Sequence, residues 1–335
     1  MFYADRCNQC GDCLVACQWM DVDRSRAIAW QKQMINGEST PVLEQCITCV
    51  ACNEICPQNA NPFDLHLELQ EKYRSLVSEE VVEATKDHYL FTGKIKSVPK
   101  AKRVLATCTY ENAEPELLKG NLFDLPRVGG KPYFCWGLFG HMGGGSIQKE
   151  QAQTLVDRLA ATGAEEIVCF HVDCYSMLAK VVPDFGITVP FQPIHLAEYL
   201  VEYLKDHIYE VNPLNLKVAY QRPCASRYTP DKETFIDEVF ELTGAVRVER
   251  TYDRKKALCC SSVKLLYNMS DSAADVEKNI LDAKSSGAEA LVFLCPVCKN
   301  MLEGTAGQHG LPMIFLSDIV RMAIGELEPQ LKVSA

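Results

Sequence analysis

Seventeen cysteines stand in this chain of 335 residues, and thirteen of them fall into three spacings suited to holding metal. The first run is Cys7-x2-Cys10-x2-Cys13-x3-Cys17, and the second is Cys46-x2-Cys49-x2-Cys52-x3-Cys56-Pro57. Each is the bacterial ferredoxin spacing, in which three cysteines hold one [4Fe-4S] cubane and the fourth crosses to the other. One cluster is then expected on Cys7, Cys10, Cys13 and Cys56, and the other on Cys46, Cys49, Cys52 and Cys17. Each loop wraps three thiolates round one cube, and the helix after it carries the fourth ligand away. Gln18 follows the fourth cysteine of the first run where Pro57 follows that of the second, a change expected to alter loop stiffness more than ligation.

The third spacing is longer. Cys224 is followed after 34 residues by the adjacent pair Cys259 and Cys260, and after 34 more by Cys295-Pro296-Val297-Cys298. Five thiols exceed what a tetrahedral structural zinc needs, which points to a larger polynuclear iron-sulfur centre. Free cysteines also pack well in cores, but packing does not ask for so regular a spacing.

Self-comparison explains four further positions. A shift of 124 residues places Cys135 on Cys259, Gly163-Ala164-Glu165 on Gly287-Ala288-Glu289, Cys174 on Cys298 and Met177-Leu178 on Met301-Leu302 without a gap. The second half therefore repeats the first. Under this shift Trp136 replaces Cys260 and His171 replaces Cys295. The first copy retains Cys108, Cys135, His171 and Cys174, three sulfurs and an imidazole, which form a known structural zinc set. The alternative is an empty site in which His171 is an ordinary buried histidine. Cys169 falls on Phe293 and is expected in the core.

The first copy also carries Phe139-Gly140-His141-Met142-Gly143-Gly144-Gly145-Ser146 ahead of an expected helix. Glycines at a helix N-terminus can cradle phosphate. The strand, turn and acidic residue of a dinucleotide site are not clear, however, so a tight turn near a metal site is the stronger reading. His141 is a lone candidate acid or base near bound substrate.

The elements that must position these residues follow from pattern. Residues 1–75 are expected to form a two-cluster domain, with Trp30 near a cluster and Leu65, Leu69 and Tyr73 on one helix face that docks it to the rest. Residues 76–100 read as a connecting arm. The two copies, 101–212 and 213–335, each alternate apolar strands such as RVLATC, EEIVCFHVDC, LKVAYQRPC and EALVFLCPVC with helices. The expected fold class is α/β, with parallel sheets covered on both faces and the cysteines at strand ends, where such sheets place ligands.

Composition narrows the function. The chain has no run of eighteen apolar residues, so no membrane span is expected. Its first ten residues, MFYADRCNQC, do not read as a signal peptide. Cysteines in ferredoxin spacing without an export signal suggest metal ligation in a reducing, anaerobic cytoplasm. A formal charge of −10 and the short basic cluster Arg254-Lys255-Lys256 argue against nucleic acid as a partner.

The repeated five-cysteine module joined to a two-cubane domain resembles the cysteine-rich CCG-domain family, whose best-known member is the catalytic part of heterodisulfide reductase. The resemblance covers nearly the whole chain. It implies a noncubane [4Fe-4S] cluster on Cys224, Cys259, Cys260, Cys295 and Cys298, the catalytic centre in that family. Ser261 stands where the family usually has glycine. Members that split a heterodisulfide use two such clusters, and the first copy here lacks the ligands for the second.

Disulfide cleavage takes two electrons while a cubane passes one at a time, so the terminal centre must retain a sulfur fragment between transfers. The implied function is an oxidoreductase subunit that reduces a small-molecule or protein disulfide or a related sulfur substrate. The alternative is a pure electron-transfer subunit of a flavin dehydrogenase or quinone-linked complex, and a third reading makes the C-terminal cluster mainly a docking element. In the first two, the absence of a flavin fingerprint implies a flavoprotein, hydrogenase or dehydrogenase partner.

Overall fold

The computed structural model describes residues 1–95, 100–267, 269 and 272–329. Residues 101–329 build two parallel sheets. The first comprises β1 (Arg103–Cys108), β2 (Arg127–Gly129), β3 (Glu166–Cys169) and β4 (Gln192–His195), in the order β2-β1-β3-β4. The second comprises β5 (Lys217–Gln221), β6 (Val246–Arg247), β7 (Ala290–Phe293) and β8 (Met313–Phe315), in the order β6-β5-β7-β8. The orders are the same, and β3 falls on β7 under the 124-residue shift. The inner strands read as apolar runs because helices cover both faces of a parallel sheet.

In the first sheet Ala106 pairs with Cys169, and Cys169 with His195. In the second, Gln221 pairs with Phe293, and Phe293 with Phe315. Cys169 is buried in the first module's core, at the position Phe293 holds in the second. The two modules share an apolar core. Phe315 meets Phe170 at 5.4 Å and Phe293 at 5.3 Å between ring centroids, so aromatic rings close the seam between the halves. The helices Leu196–Asp206, Glu233–Thr243 and Leu316–Ala323 pack together around that seam.

Residues 1–75 are helical, with Arg24–Ile35 and Pro62–Tyr73 as the long elements and Asp12–Val15 and Ala51–Ile55 as short helices beside the cysteine loops. Leu65 and Leu69 are buried, but in the core of the two-cluster domain itself with Leu14, Met34 and Leu43, and Tyr73 is exposed and donates its hydroxyl to the Gly37 carbonyl. The expected docking face therefore packs inward, and the neighbouring residues Leu67, Gln70 and Glu71 meet the first module instead. The segment expected as a connecting arm contains a helix, Glu79–Tyr89. It lies on the first module, with Val82 buried and Tyr89 stacked on Phe134 at 3.8 Å. Weak periodicity concealed it because one valine and one terminal aromatic ring make the contact.

His195, at the end of β4, caps the following helix: its Nδ1 accepts from the Ala197 amide at 3.2 Å. Burial, helped by the Lys232 charge, pushes its pKa down to about 3. The unfolded chain takes this proton near pH 6.5 and the folded one does not, so the contribution of His195 is fully present above pH 6.5 and is lost as pH falls toward 3. Between pH 7 and pH 5 the loss amounts to about 2 kcal/mol. His195→Asn keeps a capping oxygen and removes the titration, so its unfolding midpoint, followed by calorimetry under anaerobic conditions, should fall less over that interval than that of the unmutated chain. An equal fall in both proteins would refute the assignment.

Candidate metal centres

The two ferredoxin-type loops have the same backbone. Gln9 (φ 59°) and Gly11 (φ 75°) in the first match Thr48 (φ 55°) and Val50 (φ 62°) in the second, all left-handed. A valine at such an angle is costly and persists where the surroundings over-determine it. These turns draw each run of thiols inward. Cys7, Cys10 and Cys13 lie near one another and near Cys56, while Cys46, Cys49 and Cys17 form a second set. Cys52 stands near Cys46, Cys49 and Cys17, and also near Cys13 of the other set.

Burial pushes Cys13 up to about 12 and Cys17 up to about 11, and the neighbouring thiols add to the effect. Four thiolates are held so close, away from water, only around a cation, which fits an iron-sulfur cluster. A cavity of about 430 Å³ is lined by Cys17, Cys46, Cys49, Cys52 and Trp19. Trp19, which pattern alone did not single out, lines this cavity beside Cys49. Trp30 packs against the apolar cluster containing Cys13 and Cys46.

The five cysteines of the second module also converge. Cys224 neighbours Cys259, Cys259 neighbours Cys260, Cys260 neighbours Cys298, and Cys298 neighbours Cys295. Their sulfurs form an open arc and not the tight group that binds a single ion. Ser261, beside the pair, has φ 63° and is fully buried, with its Oγ unpartnered. The serine thus occupies a glycine-type backbone position and keeps a buried hydroxyl without a partner. A polynuclear centre fits five thiols set in an arc.

Side chains of the first module complete this site. His141 Nε2 is 3.8 Å from Cys224 Sγ, and its Nδ1 is 2.7 Å from Thr48 Oγ1, in the second ferredoxin-type loop. His171 Nε2 is 3.3 Å from Cys295 Sγ, 3.4 Å from the Tyr110 hydroxyl and 3.5 Å from Asp173 Oδ2. His171 and Cys295 are counterparts under the internal repeat, so equivalent positions of the two modules touch. Burial opposes charge on both imidazoles, but nearby negative groups outweigh it. Cys224 leads in lifting His141 to about 9, and Asp173 leads in raising His171. Burial raises Asp173 to about 7 despite the His171 charge. Asp173 sits between His171 and Cys174 in sequence, where the second module has Val297. That replacement is a legible signal beside the two the repeat comparison used.

Cys108, Cys135 and Cys174 lie with their sulfurs all within 4.8 Å of one another, a buried group able to hold a metal ion. The neighbouring thiols of Cys108 and Cys174 hold the Cys135 thiol well below its usual range. His171 stands outside that tight group: it neighbours Cys135 but directs Nε2 to Cys295. Its Nδ1 is buried without a partner. Three soft donors and an unengaged ring nitrogen beside them fit a thiophilic ion such as Zn²⁺.

The two-cluster domain is seated on both modules. Glu54, in the Ala51–Ile55 helix, pairs with Arg222 at 2.7 Å and Arg227 at 2.9 Å, all three side chains at most 6% exposed. Gln18 donates to the Lys256 carbonyl at 2.7 Å, so the residue in proline's place makes a domain contact. Ile47 packs in the same apolar cluster as Cys259, Cys260, Cys295 and Cys298. On the other side, the glycine-rich turn of the first module lies against the Pro62–Tyr73 helix. A Cβ on Gly143 (φ 66°) would come within 3.2 Å of the Gln70 backbone. Glu71 Oε2 accepts from the Ser146 amide at 3.0 Å. A carboxylate therefore occupies the N-terminus of the Gly145–Ala160 helix, and the glycines serve close domain contact.

Residues 3–60 match the 4Fe-4S dicluster domain and residues 218–303 the cysteine-rich (CCG) domain. The chain is similar to one of the subunits of the dihydromethanophenazine:CoB–CoM heterodisulfide reductase of Methanosarcina mazei, 27% identical over 166 residues that make up 47% of this chain and 40% of that protein. It is also similar to one of the subunits of the fumarate reductase (CoM/CoB) of Methanothermobacter marburgensis, 22% identical over 311 residues, 83% of this chain and 60% of that one. The chain thus spans about half the length of these relatives. A hypothetical protein from Helicobacter pylori shares the fold with a TM-score of 0.61 at 15% identity, over 92% of this chain and 65% of that one. Among the described residues, no helix is long and apolar enough to cross a membrane.

Proposed function

We propose that this chain, in which a 4Fe-4S dicluster domain is joined to a cysteine-rich CCG domain and which is related to heterodisulfide reductase subunits, passes electrons through two cubanes to a noncubane [4Fe-4S] cluster. That cluster, on Cys224, Cys259, Cys260, Cys295 and Cys298, reduces a disulfide or related sulfur substrate. The observation that carries this reading is the second ferredoxin-type loop lying directly on the five-cysteine site, with Ile47 in its apolar wall and Thr48 bonded to a histidine at Cys224. The cubane on Cys46, Cys49, Cys52 and Cys17 is then the inner one, and electrons from a flavoprotein, hydrogenase or dehydrogenase partner enter at the other.

When bound, the noncubane cluster supplies one-electron steps and an iron that takes sulfur. The surrounding residues exclude water and fix the thiolates: Leu258, Val263 and Leu294 are buried beside the arc, and His141, His171 and Asp173 close its first-module side. Reduction of RSSR′ consumes two electrons and two protons and yields RSH and R′SH. Cys108, Cys135 and Cys174 would hold zinc, with His171 as the fourth ligand.

A specific observation favours the second reading, a pure relay to a flavin dehydrogenase or quinone-linked complex. Cys259, Cys260, Cys295 and Cys298 are buried, and the cavity beside His141 and Asp173 holds about 20 Å³, enough for a water but not for a disulfide. Reoxidation of the dithionite-reduced chain by a mixed thiol disulfide, with a change in the third centre's EPR signal, supports sulfur chemistry. Reoxidation by flavin or quinone analogues alone supports the relay.

Metal content tests the cofactor assignment. Anaerobically purified protein should contain about twelve irons and about one zinc. About eight irons would remove the five-cysteine cluster from this account, and iron without zinc would remove the zinc site.

A further inference from the structure

We propose that His141 and His171, both carried by the first module, are positioning residues that donate N–H hydrogen bonds to the ligand sulfurs of the five-cysteine centre in the second module and thereby hold its reduction potential up. The cluster site is in this sense composite: one module supplies the thiolates and its diverged twin supplies the donors. The proposal rests on the reading of the five cysteines as cluster ligands.

Three observations support it. First, the geometry is that of N–H to sulfur contacts, 3.3 Å from His171 Nε2 to Cys295 Sγ and 3.8 Å from His141 Nε2 to Cys224 Sγ. The two histidines reach two different cysteines of the arc. Second, the His141 ring is oriented from behind. The Thr48 hydroxyl, 2.7 Å from Nδ1, fixes the ring so that Nε2 faces Cys224, and Nε2 carries a proton both in the imidazolium and in the neutral tautomer whose Nδ1 accepts from Thr48. Third, the repeat explains why a histidine stands at 171. Positions 171 and 295 meet across the seam between the modules, so a residue replacing the first module's cysteine there lies against the retained cysteine of the second.

Hydrogen bonds to the sulfurs of an iron-sulfur centre favour its more negative, reduced form and raise its potential. Other groups face the same imidazoles. The Tyr110 hydroxyl and Asp173 carboxylate compete for His171 Nε2, at 3.4 and 3.5 Å. The two contacts are therefore to be tested separately and not as one unit. Nothing in the proposal requires His171 to give up Nδ1, which stays available to the three thiols of the first module.

The test is redox titration of the anaerobic full-length protein, followed by EPR, in the unmutated chain and in His141→Leu, His171→Leu and the double variant. The five-cysteine centre should titrate at a more negative potential in each leucine variant and most negative in the double one, with both cubanes unmoved. Gln places an amide nitrogen close to the position of Nε2, so His171→Gln should recover most of the shift. That recovery separates loss of the donor from loss of packing. A third centre that keeps its potential in both single leucine variants overturns the proposal, as does a glutamine variant displaced as far as the leucine one. A third centre missing from the unmutated chain overturns the cluster reading instead, and iron content shows which has failed.

Discussion

Cys260→Trp and Cys295→His, each of which restores the residue of the first module at that position, should each abolish the signal of the five-cysteine centre and leave both cubanes intact. Iron should fall from about twelve to about eight per chain. Cys260 adjoins both Cys259 and Cys298, so its loss opens the arc in the middle, while Cys295 is the end that meets His171. Cys260 is buried, and an indole there risks overpacking worth about 1–3 kcal/mol. Cys260→Ser, nearly isosteric, is the control that loses ligation without crowding. Iron analysis with EPR at low temperature decides the matter. Twelve irons retained in the serine and histidine variants would mean that these two positions do not distinguish a cluster site from its degenerate copy.

Removing Glu54 should have the largest effect on the assembly of the chain. Its carboxylate is the shared partner of two buried guanidinium groups, Arg222 at 2.7 Å and Arg227 at 2.9 Å. Deleting one member of a buried pair leaves an uncompensated charge and typically costs about 3–5 kcal/mol. Arg222 keeps Glu233 at 2.9 Å, and Arg227 keeps the carbonyls of Lys255 and Ala257, so the lower end, about 3 kcal/mol, is expected for Glu54→Ala. Because the pair joins the two-cluster domain to the second module, electron delivery to the five-cysteine centre should also slow, while dithionite still reduces the cubanes at the usual rate. Stopped-flow spectroscopy and the anaerobic unfolding midpoint measure the two effects. A variant that unfolds at the unmutated midpoint would show that Glu54 does not hold the domains together.

Much of this architecture was legible because cysteine spacing and internal repetition are one-dimensional signals. The ferredoxin runs, the 124-residue repeat and the apolar strands all lie along the chain, and the parallel sheets followed from them. What stayed hidden depends on contacts between segments distant in sequence. Thr48 carries no chemical signature, and its role exists only where the second cysteine loop meets His141. Glu54 reads as one surface acid among many until Arg222 and Arg227 close on it. The Glu79–Tyr89 helix was missed because its apolar face is short and set among charged residues, with Val82 buried and Val81 left exposed. His171 was legible as a metal-type residue at the right position. Its nearness to Cys295 was not, since a repeat aligns its copies in sequence without saying that they touch.

The buried attachment of the two-cluster domain also bears on kinetics. Charges shielded from solvent are little affected by added salt, so the spacing between the inner cysteine loop and the five-cysteine site does not vary with ionic strength. Transfer within the chain is a first-order event. Any dependence of turnover on salt or on protein concentration therefore belongs to the encounter that precedes it, where an acidic chain of net charge −10 would meet the proposed electron donor.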